Sequence, residues 1–126
     1  MKVITYEEFE RVDLRSGTIV KAEEFLRAKK PAFKIWADFG DEIGVLQTSA
    51  QVTAHYTLES LVGMQIVGCV NLGEKNIAGF LSQFLLVGFS DKNGSICLVT
   101  VAPKAPNGKR CAEKFLQYGF FLSFSF

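Results

Sequence analysis

The segment FKIWADFG, Phe33 to Gly40, constrains the fold most. Phe33, Ile35, Ala37 and Phe39 occupy every second position, with Lys34, Trp36 and Asp38 between them. Successive side chains of a strand point to opposite faces, so this period predicts a strand with one buried face. Gly40-Asp41 then reads as a hairpin turn, and IGVLQTSAQ as the returning strand.

Other short runs flank this hairpin. LRSGTIVKAEEF, from Leu14, has β-branched residues at its centre but alternates imperfectly. It reads as a long bent strand with Gly17 at a bend or bulge. LRAKKPA is a loop ended by Pro31. MQIVGCVNL is a further strand. NLGEKNIAGFLSQFLLVG, Asn71 to Gly88, reads as a loop and then a strand, in which Gly79 allows a bulge. DKNG is a strong turn, and SICLVTVA a strand with Ile96, Leu98 and Val99 as core candidates. PKAPNGKR is a turn-rich exit.

Two short helices fit between these strands. Thr5 and Glu8 have the spacing of a capping box, with Phe9 and Val12 on one side of the helix that follows. Thr57 is an N-cap candidate, Leu58 and Leu61 face inward, and Gly63 is the stop. About five to seven short strands with turns at this spacing fit a small barrel or sandwich, and a helix between the third and fourth strands is an OB-fold arrangement. The expectation is an all-β chain with short helices: a five-stranded Greek-key OB-fold barrel with an N-terminal helix and a C-terminal extension. The barrel domain is expected over residues 1–111 and the extension over 112–126, where it has a possible place in a dimer interface. In that extension Leu122, Phe124 and Phe126 alternate with Ser123 and Ser125, as a strand with one apolar face would.

With 126 residues the chain has the size of one domain that can bury a core without staples. Its net charge of +1 supplies no global attraction to nucleic acid, so a basic site must be local. Cys69, Cys97 and Cys111 contain no C-x-x-C; Cys69 and Cys97, set in apolar runs, read as buried small hydrophobes in a reducing compartment. MKVITYEEFE lacks the apolar core of a signal peptide, and no run is long and apolar enough to span a bilayer, so a cytoplasmic protein without membrane partners is expected.

Catalytic patterns are missing. His55, the single histidine, reads as a capping or surface group. No His, Cys and Asp residues have the spacing of metal ligands, and no glycine motif would cradle phosphate. Glu23 and Glu24 are neighbours on a strand and point to opposite faces, so they form no carboxylate dyad. The expectation is a protein that is no enzyme, with no catalytic residues, metal or cofactor.

The binding candidates are polar. Arg27, Lys29, Lys30 and Lys34 form the strongest local positive charge. They are either a solvated loop or an arm that tracks phosphates. Gln47, Thr48, Ser49 and Gln51 either satisfy a strand end or offer neutral donors and acceptors to phosphate and base edges. Asn71, Lys75, Asn76, Gly79, Ser82 and Gln83 pose the same choice between a bent strand and a polar site.

VDLRSGTIVKAEEF, DFGDEIGVLQTSAQVT, VNLGEKNIAGFLSQFLLVG and APNGKR together resemble the tRNA-binding OB-fold domain family, and within it the CsaA type. The resemblance runs from about Phe9 to Arg110. It implies an OB-fold, a homodimer, recognition of tRNA by shape, and no enzymatic activity. For the CsaA type it also implies a chaperone or export role with unfolded polypeptides as partners. An apolar patch including Leu46, Leu81 and the Phe-rich tail would serve that role. Carried over by motif, the tRNA-binding residues are Ser49, Gln51, Asn71, Lys75, Asn76, Gly79 and Ser82, with Lys29, Lys30 and Lys34 in the basic loop. The family pattern places basic residues where this chain has Leu46, Asn76 and Leu81, and F-P-P where it has Leu72, Gly73 and Glu74.

Overall fold

The computed structural model describes residues 1–111 in full and the backbone of residues 115–117 and 120–122. Helix α1 (Tyr6–Glu10) is followed by strands β1 (Leu14–Glu24), β2 (Phe33–Asp38) and β3 (Val45–Ala50). Helix α2 (Leu58–Leu61) precedes β4 (Gln65–Cys69), β5 (Lys75–Ile77), β6 (Phe80–Ser82), β7 (Leu85–Leu86), β8 (Gly88–Ser90) and β9 (Ile96–Leu98). Phe115–Gln117 and Phe120–Leu122 pair antiparallel as β10 and β11. The side chains of the extension, and with them the expected alternation at Leu122, Phe124 and Phe126, lie outside the described residues.

The main sheet runs β3-β2-β1-β4-β7, all antiparallel. β4 returns beside β1 after two consecutive hairpin-linked strands, which is the Greek-key order. The sheet curls into a nearly closed five-stranded barrel of OB type, with α2 between the third and fourth strands as expected. Two separate ribbons, β5-β6 and β8-β9, project from it.

The alternation of β2 is realised: Phe33, Ile35, Ala37 and Phe39 are buried, with Lys34, Trp36 and Asp38 on the outer side. Together with Ile19, Val52, Leu61, Ile66 and Phe84 they form the core. Phe39 meets Phe84 edge to face, with ring centroids 4.9 Å apart. Leu61 of α2 is fully buried and Leu58 packs partly against the core. A reciprocal cap starts α2: Thr57 Oγ1 accepts the Ser60 amide at 3.0 Å and Ser60 Oγ accepts the Thr57 amide at 2.9 Å. The Thr5–Glu8 capping box of α1 forms as expected.

Three sequence expectations are corrected here. The bulge of β1 is at Val20 rather than Gly17, because the register with β2 shifts between Ile19 and Lys21. Gly17 answers a different demand. A Cβ there would stand 2.7 Å from the Phe39 ring, and one at Gly68 on the neighbouring strand would stand equally close. Both positions lack a side chain so that the largest core ring can lie against the backbone. Cys97 is exposed, because Ile96 and Leu98 take the inward positions of β9 and leave Cys97 the outer one; Cys69 is buried. PKAPNGKR does not simply leave the barrel but straps along its edge. The Gly108 amide donates to Ser16 O at 2.7 Å, the Ser16 amide to Lys109 O at 3.0 Å, and the Ala105 amide to Gln65 Oε1 at 3.0 Å.

Candidate nucleic-acid interface

The polar residues that interrupt the Asn71–Gly88 stretch have a structural task. β3 and β6 are not ladder partners, yet side chains join them. The Ser49 amide donates to Ser82 Oγ at 3.0 Å, and the Gln47 amide to Gln83 Oε1 at 3.1 Å. Gln47 Nε2 donates to Leu81 O at 2.9 Å, and Thr48 Oγ1 to Phe84 O at 2.7 Å. Only one backbone bond, from the Gln83 amide to Gln47 O at 2.8 Å, crosses this seam among the described residues. Side chains therefore satisfy the open edge of β3, which would otherwise expose unpaired backbone groups.

Gly79 is not a bulge within a strand. It is the second residue of a two-residue hairpin turn, Ala78-Gly79, between the paired residues Ile77 and Phe80. Both turn residues have positive φ, 49° and 85°, as a tight turn matching the strand twist requires. Ala78 is the one described non-glycine residue with positive φ. Asn76 stabilises the turn, its Oδ1 accepting the Gly79 amide at 2.9 Å.

This turn carries Phe80 against the outer face of β2. Phe80 meets Phe25 at 5.6 Å and Trp36 at 5.8 Å, both edge to face. Lys34 Nζ lies 5.1 Å from the centres of both Phe25 and Phe80, and Lys21 Nζ 4.6 Å from the Trp36 ring. Trp36 Nε1 donates to Gln47 Oε1 at 3.2 Å, which orients the indole. Arg27 reaches the turn, with Nη1 3.5 Å from where a Cβ on Gly79 would be. The result is an aromatic cluster in which Trp36 and Phe80 are part-exposed over the buried Phe25, rimmed by ammonium and guanidinium groups. Its aromatic members were missed as site residues by the sequence reading. The available signal was the outward register of Trp36 beside Lys34 on β2; the contact with Phe80 requires the fold.

Lys29, Lys30, Ser49 and Gln51 line one groove of about 920 Å³, together with Ala78 of the turn. Lys75 is exposed on β5, in register with Ser82. Ser82 itself is buried, its hydroxyl committed to Ser49. Asn71 is engaged elsewhere: Nδ2 donates to Arg11 O at 2.5 Å and Oδ1 accepts the Asp13 amide at 3.0 Å. That side chain ties the end of β4 to the entry of β1. Leu46 turns towards the core, so of the two leucines expected on an apolar patch only Leu81 is exposed. Glu74 accepts from Gln83 Nε2 at 3.3 Å.

Near the β1 entry, Asp13 Oδ1 receives Arg15 Nε at 2.7 Å and Arg110 Nε at 3.2 Å. The hydrogen bond from Arg15, aided by the charges of Arg15 and Arg110, holds the Asp13 carboxyl below the usual carboxylate range against the opposing effect of burial.

Among the described residues, no helix is long and apolar enough to cross a membrane. Residues 14–110 match the family model described as "Putative tRNA binding domain". A methionine–tRNA ligase of Chlorobium chlorochromatii is 34% identical over 106 residues, 84% of this chain and 15% of that enzyme. The corresponding enzyme of Methanocaldococcus jannaschii is 33% identical over 101 residues, 80% of this chain and again 15% of its own length. The chain thus spans about 15% of the length of these relatives. Among solved structures, the chaperone CsaA of Bacillus anthracis superimposes with a TM-score of 0.82 at 40% identity, covering 88% of this chain and 100% of that one. A methionyl-tRNA synthetase-related protein of Pyrococcus horikoshii gives 0.77 at 28% identity, covering 88% and 99%. With a family model matching most of the chain, over the residues that build the barrel and its hairpin, this protein belongs to the tRNA-binding domain family.

Proposed function

We propose that this chain is a non-enzymatic, cytoplasmic tRNA-binding protein that acts as a homodimer and selects tRNA by shape. The observation that carries the reading is the part-exposed pair Trp36 and Phe80, backed by the buried Phe25, with Lys21, Lys34 and Arg27 around it. Aromatic faces receive unstacked bases whatever their identity, and cations beside them follow the backbone. Lys29, Lys30 and Lys75 extend the positive charge on both sides, with Ser49, Gln51, Asn76 and Gly79 supplying neutral contacts and close approach. Family membership supports the same reading. The barrel of residues 1–111 is the binding domain, and residues 112–126 contribute to the dimer.

Charge sets the strength. Leu46, Asn76 and Leu81 are neutral, and the whole chain carries only +1. Each missing phosphate contact lowers the salt dependence of log K by about 0.7–0.9 per decade of salt. Polarisation titrations with tRNA at two salt concentrations test the reading. Saturable binding that weakens steeply with salt is expected; dimeric protein that fails to bind tRNA at low salt overturns it.

A second reading, a chaperone that binds unfolded polypeptides, rests on the groove. Phe25, Ala32, Val52, Leu85 and Ile96 line it beside Lys29 and Lys30, and the solved structure from B. anthracis is that of a chaperone. Suppression of client aggregation that is indifferent to salt supports this role; no suppression at equimolar protein excludes it.

A further inference from the structure

The fold assembles a set of metal-ligating side chains that the sequence spacing conceals. His55 lies in the loop between β3 and α2, Asp91 follows β8, and Cys97 is in β9. His55 Nε2 is 2.7 Å from Asp91 Oδ2. The ligand atoms of all three residues, the Cys97 sulfur included, lie within 4.8 Å of one another. No other such group of three occurs among the described residues.

The arrangement is anchored. Asp91 Oδ1 accepts the Asn93 amide at 2.8 Å and the Ser95 amide at 3.0 Å, which fixes the carboxylate and leaves Oδ2 directed at His55. Cys97 is held on the outer side of β9 by the inward packing of Ile96 and Leu98. The His55 side chain is 45% exposed and that of Asp91 25%, so an ion can reach both without the core opening.

We propose that His55 Nε2, Asp91 Oδ2 and Cys97 Sγ bind a divalent transition-metal ion of the zinc class, with the fourth position open to water. Imidazole, thiolate and carboxylate are the donors such ions take, at about 2.0–2.3 Å in tetrahedral geometry. Donors at those bond lengths stand roughly 3.2–3.8 Å apart. The His55–Asp91 pair therefore opens slightly, and the sulfur closes in by side-chain rotation. One sulfur and one nitrogen among three donors disfavour Mg²⁺ and Ca²⁺, which take oxygen. Binding is a simple exchange without redox change. The thiol proton, and any proton held between His55 and Asp91, pass to solvent as the metal bonds form. The ion joins the loop ahead of α2 to the β8–β9 ribbon, on a part of the molecule separate in sequence from the Trp36–Phe80 surface.

The test uses the full chain, reduced with a phosphine and titrated with Co²⁺ alone. One equivalent is expected to produce tetrahedral visible bands and a near-ultraviolet thiolate-to-cobalt band, both bleached by Zn²⁺. Cys97→Ser should lose the charge-transfer band, and His55→Gln should weaken binding at least about tenfold. Cys111→Ser should leave both unchanged. Zn²⁺ should also raise the Tm of the parent protein but not of Cys97→Ser, whose circular dichroism should match the parent's. Absence of the charge-transfer band, its survival in Cys97→Ser, its loss in Cys111→Ser, or indifference to His55→Gln overturns the proposal.

Discussion

Ser82 Oγ accepts the Ser49 amide at 3.0 Å, so a side-chain hydroxyl takes the place of a ladder carbonyl where β3 meets β6. Ser82 is 8% exposed, and its loss leaves the part-buried Ser49 amide without an acceptor. Ser82→Ala is expected to destabilise by about 1–3 kcal/mol, read from the urea midpoint with an unchanged m-value. The salt slope of tRNA binding should stay that of the parent, because the hydroxyl holds the hairpin and carries no charge.

The Ala78-Gly79 turn depends on backbone conformation rather than on space. A Cβ on Gly79 would meet Arg27 at an ordinary 3.5 Å, but φ is +85°. Gly79→Val is therefore expected to cost at least about 1–2 kcal/mol, seen as a lower Tm. It should also weaken tRNA binding, because the turn delivers Phe80 to Trp36.

Asn71 is expected to separate a structural role from a binding role. Its amide bridges Arg11 and Asp13. Asn71→Ala should lose about 0.5–1.5 kcal/mol of stability while the salt slope of tRNA binding stays constant. A reduced slope with unchanged stability would instead place Asn71 on the nucleic acid.

Lys34 and Trp36 should fail in different ways. Lys34→Ala should reduce the salt slope by about 0.7–0.9. Trp36→Leu should weaken binding by about 1–3 kcal/mol at every salt concentration, leaving the slope unchanged, as loss of a stacking platform does. Equal slopes for all three proteins would remove Lys34 from the phosphate path.

Asp13 makes stability depend on acid. Its folded carboxyl is held below the ordinary value by Arg15 and Arg110. The sign follows from linkage: the contribution is full above the unfolded value of about 3.9 and is lost as pH falls through the lower folded value. Asp13→Asn should lose stability at neutral pH and show a flatter decline below pH of about 4. An acid limb identical to the parent's would remove Asp13 as its source.

Local pattern was enough for both helices and for β1 to β4. Alternation at Phe33–Phe39 located β2 and its buried face, Thr5 and Thr57 located both helix starts, and the helix between the third and fourth strands implied the Greek-key barrel. Each of these depends on residues a few positions apart, whose geometry the chain sets by itself. Candidate site residues were only partly legible, for the same reason. Lys29 and Lys30 belong to one local group and Ser49 and Gln51 to another, and only folding brings the two groups to one groove.

Tertiary structure decided what depends on partners distant in the chain. Gly17 looked like a bulge until the Phe39 ring was seen against it, while the bulge fell at Val20 because two registers meet there. Cys97 shares an apolar run with Ile96 and Leu98, and only the orientation of β9 put its thiol outside. Gln47, Ser82 and Gln83 looked like recognition residues, yet they close a barrel seam that backbone pairing leaves open. Cys97 is near Asp91 in sequence but His55 is far from both, and only the fold brings the three together. Sequence alone determined the first four strands and which way β2 faces, because strand period is a local property; the division of residues 71–90 into β5 to β8 came from the fold. Which side chains bind, brace or meet was decided by packing, because those contacts exist only once the barrel closes.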